Sequence, residues 1–191
     1  MTAVVKVGGS LEADPHRRRV ILGEIADGVH GRCIVVPGGG TFAGAVRAAQ
    51  ALEGFSDAEA HRRALDAMSD AAGIFRGVEP RLVQTFEPWS ETAAATARVW
   101  NPRRLRAGHP DIPETWDVTS DSLALWLAAR VGAARCILVK SADAPAGQDV
   151  AALSAGGLVD VAFPNFAARY PGRIEIWGPS RNVVVAARDA A

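Results

Sequence analysis

The sequence predicts an α/β fold, a three-layer αβα sandwich whose central sheet is mainly parallel. Short β-branched runs recur along the chain, and alanine-rich stretches long enough for helices lie between most of them. Several runs are apolar on both faces, which is typical of strands buried inside a parallel sheet. The length of 191 residues suits one domain, so we predict a single domain over residues 1–191.

The predicted strands cover residues 4–7, 33–36, 81–86, 97–100, 136–139, 173–177 and 182–187. The clearest helix begins at "TSDSLALWLAARVGA", where Thr119 or Ser120 can cap the first turn. Apolar residues recur there every four positions from Leu123, and Gly132 can close the helix. A second helix is predicted over residues 57–75, with its apolar residues on one side.

Residues 88–117 are the least regular part of the chain. They contain Trp89, Trp100 and Trp116 together with several prolines. Such a segment can be a lid or a partner surface, or it can be a local packing cluster that stiffens a long connection. The sequence leaves both interpretations open.

The overall charge points to a small ligand. The 21 basic and 21 acidic residues cancel, so we expect neither nucleic acid nor an anionic membrane as a partner. No apolar stretch approaches the about 20 residues of a membrane span, and the N-terminus lacks a signal-peptide pattern, so we expect a cytoplasmic protein. Cys33 and Cys136 adjoin apolar runs without a CxxC or Cys/His pattern, which indicates buried thiols and no metal site.

Two glycine-rich loops follow the first two predicted strands. In a parallel sheet such loops lie at the carboxyl edge, where ligands bind and backbone N–H groups can form an anion-binding concavity. Glycines let the backbone approach phosphate oxygens closely. These loops therefore predict a phosphate cradle. Its residues are Gly8, Gly9 and Ser10 in the first loop, and Gly38, Gly39 and Gly40 in the second.

Three charged residues stand out beside the predicted cradle. Lys6 interrupts a valine run that otherwise reads as an interior strand, and an ammonium there can neutralise charge on a transferring phosphoryl group. Lys140 ends a later strand at the same edge, and Asp121 lies in the first turn of a helix, where it is either functional or a capping group. The chain has no dinucleotide fingerprint, which disfavours nicotinamide and flavin enzymes. It also has no Walker loop.

The motifs K-x-G-G-S-L, V-P-G-G-G-T, T-S-D-S and I-L-V-K-S-A-D occur in this order. As a set they resemble the amino acid kinase superfamily over residues 3 to about 145. This group includes acetylglutamate, aspartate, uridylate and isopentenyl phosphate kinases. The resemblance implies an ATP-dependent phosphotransferase that uses ATP and Mg²⁺ and forms a homo-oligomer.

The resemblance also implies roles for individual residues. Lys6 would stabilise the γ-phosphoryl group, and Asp121 would organise the catalytic lysines, among them Lys140. The first glycine loop would contact the ATP phosphates, and the second would face the acceptor. The other implied contacts are Thr119 and Ser120 in the acceptor pocket, and Lys140, Ser141 and Asp143 in the nucleotide loop. Relatives more often have T-D-x-D-G-V-Y in that loop, and the usual G-T-x-I close is missing here.

Within the superfamily, the short length and "TSDSLALWLA" look most similar to small kinases of methanofuran biosynthesis. Those enzymes convert aminomethylfuran-methyl phosphate to its diphosphate, and the tryptophans of residues 89–116 can cover a furan ring. Two alternatives stay open. One is a superfamily kinase acting on an acyl carboxylate, a nucleoside monophosphate or isopentenyl phosphate. The other is a non-catalytic protein that binds or stores an oxyanion.

Overall fold

The computed structural model describes residues 2–89 and 95–185. Its centre is a seven-stranded sheet with the order β3-β4-β2-β1-β5-β6-β7. All neighbouring strands are parallel except β6 and β7, which are antiparallel. The strands are β1 (Thr2–Val7), β2 (Arg32–Pro37), β3 (Val83–Thr85), β4 (Ala97–Trp100), β5 (Arg135–Val139), β6 (Arg173–Trp177) and β7 (Asn182–Val185).

Six α-helices connect or cover the strands in the described part of the chain. They are α1 (Pro15–Ala26), α2 (Gly40–Glu53), α3 (Asp57–Val78), α4 (Ser120–Arg130), α5 (Val150–Ala155) and α6 (Phe163–Ala167). Two short 3-10 helices cover Gly9–Ala13 and Pro102–Ala107. No helix within residues 2–89 and 95–185 is both long and apolar enough to cross a bilayer.

Two hydrophobic cores form on opposite faces of the sheet, because successive side chains of a strand point to opposite faces. On β1, Val5 and Val7 pack into one core with residues of α1, whereas Val4 packs into the other with residues of α4 and α6. Helix α3 contributes to both, with Leu65 and Met68 in one core and Phe75 in the other. The predicted α/β fold with a mainly parallel, doubly covered sheet is confirmed.

Most elements follow the sequence closely, but β3 (Val83–Thr85) is shorter than the predicted strand 81–86. Strand β1 is an interior strand, and Cys33 and Cys136 are buried free thiols near the starts of β2 and β5. Helix α3 runs three residues beyond the predicted 57–75. Strand β7 is described to Val185, and the last two positions of the predicted strand 182–187 lie outside the described residues.

The tryptophans of residues 88–117 do not all fit one of the two predicted interpretations, a packing cluster or a lid or partner surface. Trp100 is fully buried in β4, and Trp89 stacks edge-on against Trp126 at 5.5 Å between ring centroids. Both therefore belong to a packing cluster. Trp116 instead lines a cavity described below. Residues 90–94 of the segment lie outside the described residues.

Candidate active site

Lys6 and Asp121 meet because of the alternation of side chains along β1. Val5 and Val7 point to the α1 face, so Lys6 points with Val4 to the α4 face. Asp121 lies in the first turn of α4, and its Oδ1 is 2.8 Å from Lys6 Nζ. The lysine that interrupts the valine run of β1 therefore forms a buried ion pair.

Lys140 reaches the same carboxylate from the next strand. On β5, Cys136 and Leu138 face α4, and Lys140 continues this face just beyond the strand end. Its Nζ is 2.5 Å from Asp121 Oδ2. The sequence contains two lysines in all, and both converge on one carboxylate.

Burial and charge determine how this lysine–aspartate–lysine triad is protonated. Lys6, Asp121 and Lys140 are only 5–8% exposed. Burial alone would raise the pKa of Asp121, but the two ammonium groups outweigh it and lower that pKa to about 2. Burial, followed by repulsion from Lys6, lowers the pKa of Lys140 to about 8 despite the attraction of Asp121. The triad thus holds two cations around one anion at neutral pH.

The two glycine loops lie directly against each other beside the triad. A Cβ on Gly9 would lie 2.3 Å from the backbone nitrogen of Gly40, and a Cβ on Gly38 would lie 2.4 Å from the nitrogen of Gly9. Gly40 also has a φ of +53°, which disfavours other residues. Glu12 strengthens the junction by accepting a hydrogen bond from Thr41 N at 3.0 Å. Only glycine permits this contact between backbones.

The strand order places Lys6 between the two halves of the site. Strand β1 lies between β2, which leads into the second glycine loop, and β5, which leads into Lys140. All three strands are parallel, so the two loops and both lysines share one carboxyl edge. The predicted convergence of distant segments at one edge of the sheet is what the structure shows.

A cavity of about 270 Å³ opens from the glycine loops on the β2 side. Predicted site residues at its inner end are Gly9, Ser10, Gly38, Gly39, Gly40, Thr119 and Ser120. Its outer part is lined by helices α2 and α3 and by Trp116, together with Arg47 and His61. Its volume lies just below the range of about 300–1,000 Å³ for small-molecule sites. The cavity therefore suits a small ligand whose anionic end faces the glycine loops.

The cap of α4 differs from the prediction. Thr119 occupies the N-cap position, as expected, but its side chain accepts no capping hydrogen bond, so the expected capping contact is absent. The carboxylate of Asp160 accepts from Thr119 N at 2.9 Å, from Ser122 N at 3.0 Å and from both hydroxyl groups. The carboxylate of Asp121 is thereby free to face the lysines. The alternative role of Asp121 as a capping group is not what the structure shows.

The end of β5 is held by a residue that the sequence did not single out. The Arg17 guanidinium donates to the carbonyl oxygens of Lys140 at 2.7 Å, Trp177 at 3.0 Å and Gly178 at 2.7 Å. A buried or half-buried carbonyl without a partner is costly. Arg17 thus fixes the backbone of Lys140 and the turn after β6. In the sequence it lies in an Arg-Arg-Arg run that reads as surface charge.

The other predicted nucleotide-loop residues lie beside Lys140. Ser141 is exposed. The Asp143 carboxylate accepts from the backbone nitrogens of Ser180 at 3.0 Å and Arg181 at 3.2 Å, and the bond from Ser180 lowers its pKa. Asp143 therefore holds the turn between β6 and β7. Contact with a nucleotide stays a prediction for both residues.

The site fits an anionic ligand better than a bare metal ion. Within the described ranges no group of three His, Cys, Asp or Glu side chains could hold a metal. The Asp121 carboxylate is already shared by two ammonium groups. Mg²⁺ would therefore have to arrive with ATP and take most of its ligands from phosphate and water, which is common for this ion.

Comparisons with solved structures show which fold the chain has. Uridylate kinase from Archaeoglobus fulgidus superposes with a TM-score of 0.64 and 16% identity, over 93% of this chain and 90% of that one. Aspartate kinase from Synechocystis gives a TM-score of 0.64 and 14% identity, over 99% of this chain and 41% of that one. UMP kinase from Bacillus anthracis gives a TM-score of 0.62 and 13% identity, over 97% of this chain and 98% of that one. The chain has the amino acid kinase fold, and the predicted resemblance is confirmed.

Sequence comparison adds one particular relative. The chain is 24% identical over 142 residues to the [5-(aminomethyl)furan-3-yl]methyl phosphate kinase of Methanocaldococcus jannaschii. The match covers 73% of this chain and 66% of the relative, so just under two thirds of its length is spanned. No family model matches the chain. Together with the fold, this relative supports the prediction of an ATP-dependent kinase.

Proposed function

We propose that this protein is an ATP-dependent phosphotransferase that converts a small monophosphate to its diphosphate. The observation that carries the proposal is the buried Lys6–Asp121–Lys140 triad beside two glycine loops at one edge of the sheet. Two ammonium groups and backbone amides can stabilise the charge on a phosphoryl group in transfer, and this reaction needs little else from a protein.

The sheet order suggests which side each substrate takes. The cavity lies on the β2 side of Lys6, and Lys140 with the nucleotide loop lies on the β5 side. The acceptor would occupy the cavity, with Gly38, Gly39, Gly40, Thr119 and Ser120 around its phosphate. ATP would lie over β5, with its phosphates at Gly8, Gly9 and Ser10. The γ-phosphoryl group would then cross above Lys6.

Transfer itself requires one bond to form and one to break. An oxygen of the acceptor phosphate attacks the γ-phosphorus, and the bond from that phosphorus to the bridging oxygen breaks, so ADP leaves with the electron pair. The acceptor is already an anion, so no general base is needed. Asp121 contributes by keeping Lys6 and Lys140 together and charged, whereas the lysines contact the phosphoryl oxygens. Bound Mg²⁺ would add charge neutralisation on the ATP phosphates.

The proposed acceptor is [5-(aminomethyl)furan-3-yl]methyl phosphate, in a methanofuran-type pathway of one-carbon metabolism. Support comes from the relative that bears this name and from the size of the cavity.

Cytoplasmic location and a homo-oligomer belong to the proposal through the resemblance. Sedimentation velocity tests the oligomer, and a purely monomeric species at micromolar concentration would exclude it.

An acceptor panel tests the proposed function. The protein is incubated with ATP, Mg²⁺ and one acceptor: the furan phosphate, UMP, isopentenyl phosphate, aspartate or acetylglutamate. ADP release and ³¹P NMR are followed. We expect the furan phosphate to give the two coupled signals of a diphosphate ester, and Lys6→Ala to abolish them. Turnover of another acceptor alone would assign a different kinase. Retention of an oxyanion such as molybdate without any ATP turnover would favour the storage alternative.

A further inference from the structure

The outer end of the cavity contains a histidine to which neither the sequence nor the proposed chemistry gives a role. His61 lies in the first turns of α3, is 4% exposed and lines the cavity. Further along α3, Ala67 lies 3.7 Å from where a Cβ on Gly39 would be. Six residues of helix separate His61 from that point, or about 9 Å along the axis. His61 is therefore remote from the phosphate end of the cavity.

Hydrogen bonding fixes which ring nitrogen of His61 a ligand can reach. Nδ1 lies 3.2 Å from the carbonyl oxygen of Thr115. A carbonyl oxygen can only accept, so Nδ1 carries the proton and Nε2 of the neutral ring offers a lone pair. Burial, the largest influence, lowers the pKa of His61 and keeps the ring neutral at pH 7. The imidazole is a hydrogen-bond acceptor for whatever fills this end of the cavity.

The surroundings make this acceptor selective. Ala64, Leu65 and Leu123 are apolar residues that line the same cavity as His61, and none of the described residues that line the cavity is Asp or Glu. Trp116 also lines the outer part of the cavity. Its indole nitrogen donates to Gln50 Oε1 at 2.6 Å, and the Arg47 guanidinium lies 3.8 Å from its ring centroid. Arg47 is exposed, so solvent screens its charge from a ligand inside the cavity.

We propose that His61 determines acceptor specificity by accepting, at Nε2, a hydrogen bond from an N–H group at the end of the acceptor remote from its phosphate. The aminomethyl substituent in the name of the curated relative's substrate is a group of this kind. This inference rests on the proposed function for the identity of the acceptor. It adds a specificity residue, because an unpaired acceptor in an apolar wall disfavours ligands that lack the donor.

A matched pair of variants separates recognition from a structural role. In His61→Asn the side-chain amide can still donate to the Thr115 carbonyl, as Nδ1 does, but nothing replaces Nε2. In His61→Gln an amide oxygen can reach the position of Nε2, but the bond to Thr115 is lost. A residue that merely holds Thr115 would be rescued by Asn, whereas a recognition residue would be rescued by Gln.

Binding is measured by isothermal titration of the full-length protein with two probes, without nucleotide. The probes are the aminomethylfuran phosphate and its analogue with a methyl group in place of aminomethyl. A hydrogen bond of this type predicts a preference of roughly ten- to hundredfold for the amine in the wild type. We expect His61→Asn to lose this preference and His61→Gln to keep most of it.

Several results would overturn the proposal: no preference in the wild type, binding of neither probe, or an undiminished preference in His61→Asn. If His61→Asn does not fold, imidazole ¹⁵N NMR of the wild type decides the question. The amine should shift the Nε2 resonance of His61, and the methyl analogue should not; equal shifts would reject the assignment. Because no step requires turnover, a failed kinase assay would leave this result interpretable by itself.

Discussion

Asp121→Asn is the substitution that most sharply tests the triad. It removes the negative charge that both buried ammonium groups contact, with Nζ atoms at 2.8 and 2.5 Å from the carboxylate. Two unit charges 4 Å apart interact by about 4 kcal/mol at an effective dielectric constant of about 20. Loss of that attraction should lower the pKa of Lys140 from about 8 to below 7, because each pKa unit corresponds to about 1.4 kcal/mol.

The substitution should also destabilise the fold in a pH-dependent way. Removing one partner of a buried ion pair costs about 3–5 kcal/mol, so we expect a loss of this size in urea unfolding at pH 6, below the pKa of about 8 that Lys140 has in the wild type. A lysine whose pKa is lowered in the folded state opposes folding while it is charged, and this penalty starts to diminish once the pH exceeds the folded pKa. Because the folded pKa of Lys140 is lower in the variant, the penalty diminishes from a lower pH there than in the wild type. The gap between wild type and variant should therefore narrow by pH 9.

The assay uses the scarcity of lysine in the chain. Because the sequence contains two lysines, ¹³C labelling at the ε-carbon gives one signal for each, and both pKa values can be read directly. Lys140→Met is the matched control: it leaves Asp121 paired with Lys6, so its cost in stability should be smaller, and it assigns the signals. An unchanged pKa of about 8 for Lys140 in Asp121→Asn, with a stability loss below about 1 kcal/mol, would refute the triad.

The remaining predictions concern catalysis, pH, loop packing and the helix cap. Lys6→Ala should lower kcat by at least about 10²-fold, with the thermal melt unchanged or higher; wild-type kcat would remove Lys6 from the mechanism. Turnover should decline above pH 8 as the ammonium of Lys140 deprotonates, and Lys140→Arg should abolish that decline, because arginine stays charged. Gly9→Ala should weaken ATP binding in a calorimetric titration, because the new Cβ would lie 2.3 Å from the backbone of Gly40. In the control Gly44→Ala the new Cβ has open space, so this variant should bind ATP normally. Asp160→Ala should lower the melting temperature by about 4–8 °C through the loss of about 2 kcal/mol of capping; an unchanged melt would show that the hydrogen bonds to Thr119 and Ser122 contribute nothing.

The fold was largely predictable because the strands and long helices have regular patterns. The position of Lys6 within a valine run, and of Lys140 at a strand end, was enough to place both at one edge of a parallel sheet. That edge is set by strand direction, which the alternation of strands and helices specifies. The glycine loops were predictable for the same reason: they follow strands directly.

Other parts of the site could not be predicted because they depend on contacts between distant elements. Asp160 lies alone in a loop, and only the packing of that loop onto α4 makes it the cap in place of Thr119. Arg17 is part of an arginine run, and its contact with the ends of β5 and β6 arises from the position of α1. His61 has no motif at all. One further pattern in the sequence pointed to the site. The chain contains two lysines, Lys6 and Lys140, and both lie in the motifs that predict it.

A crystal structure with a non-hydrolysable ATP analogue and Mg²⁺ tests the central claim most directly. The account predicts that the γ-phosphate lies within hydrogen-bond distance of both Lys6 Nζ and Lys140 Nζ, against the backbone of Gly9, with the nucleotide on the β5 side. Nucleotide bound away from the two lysines, or a γ-phosphate at the opposite edge of the sheet, would contradict it.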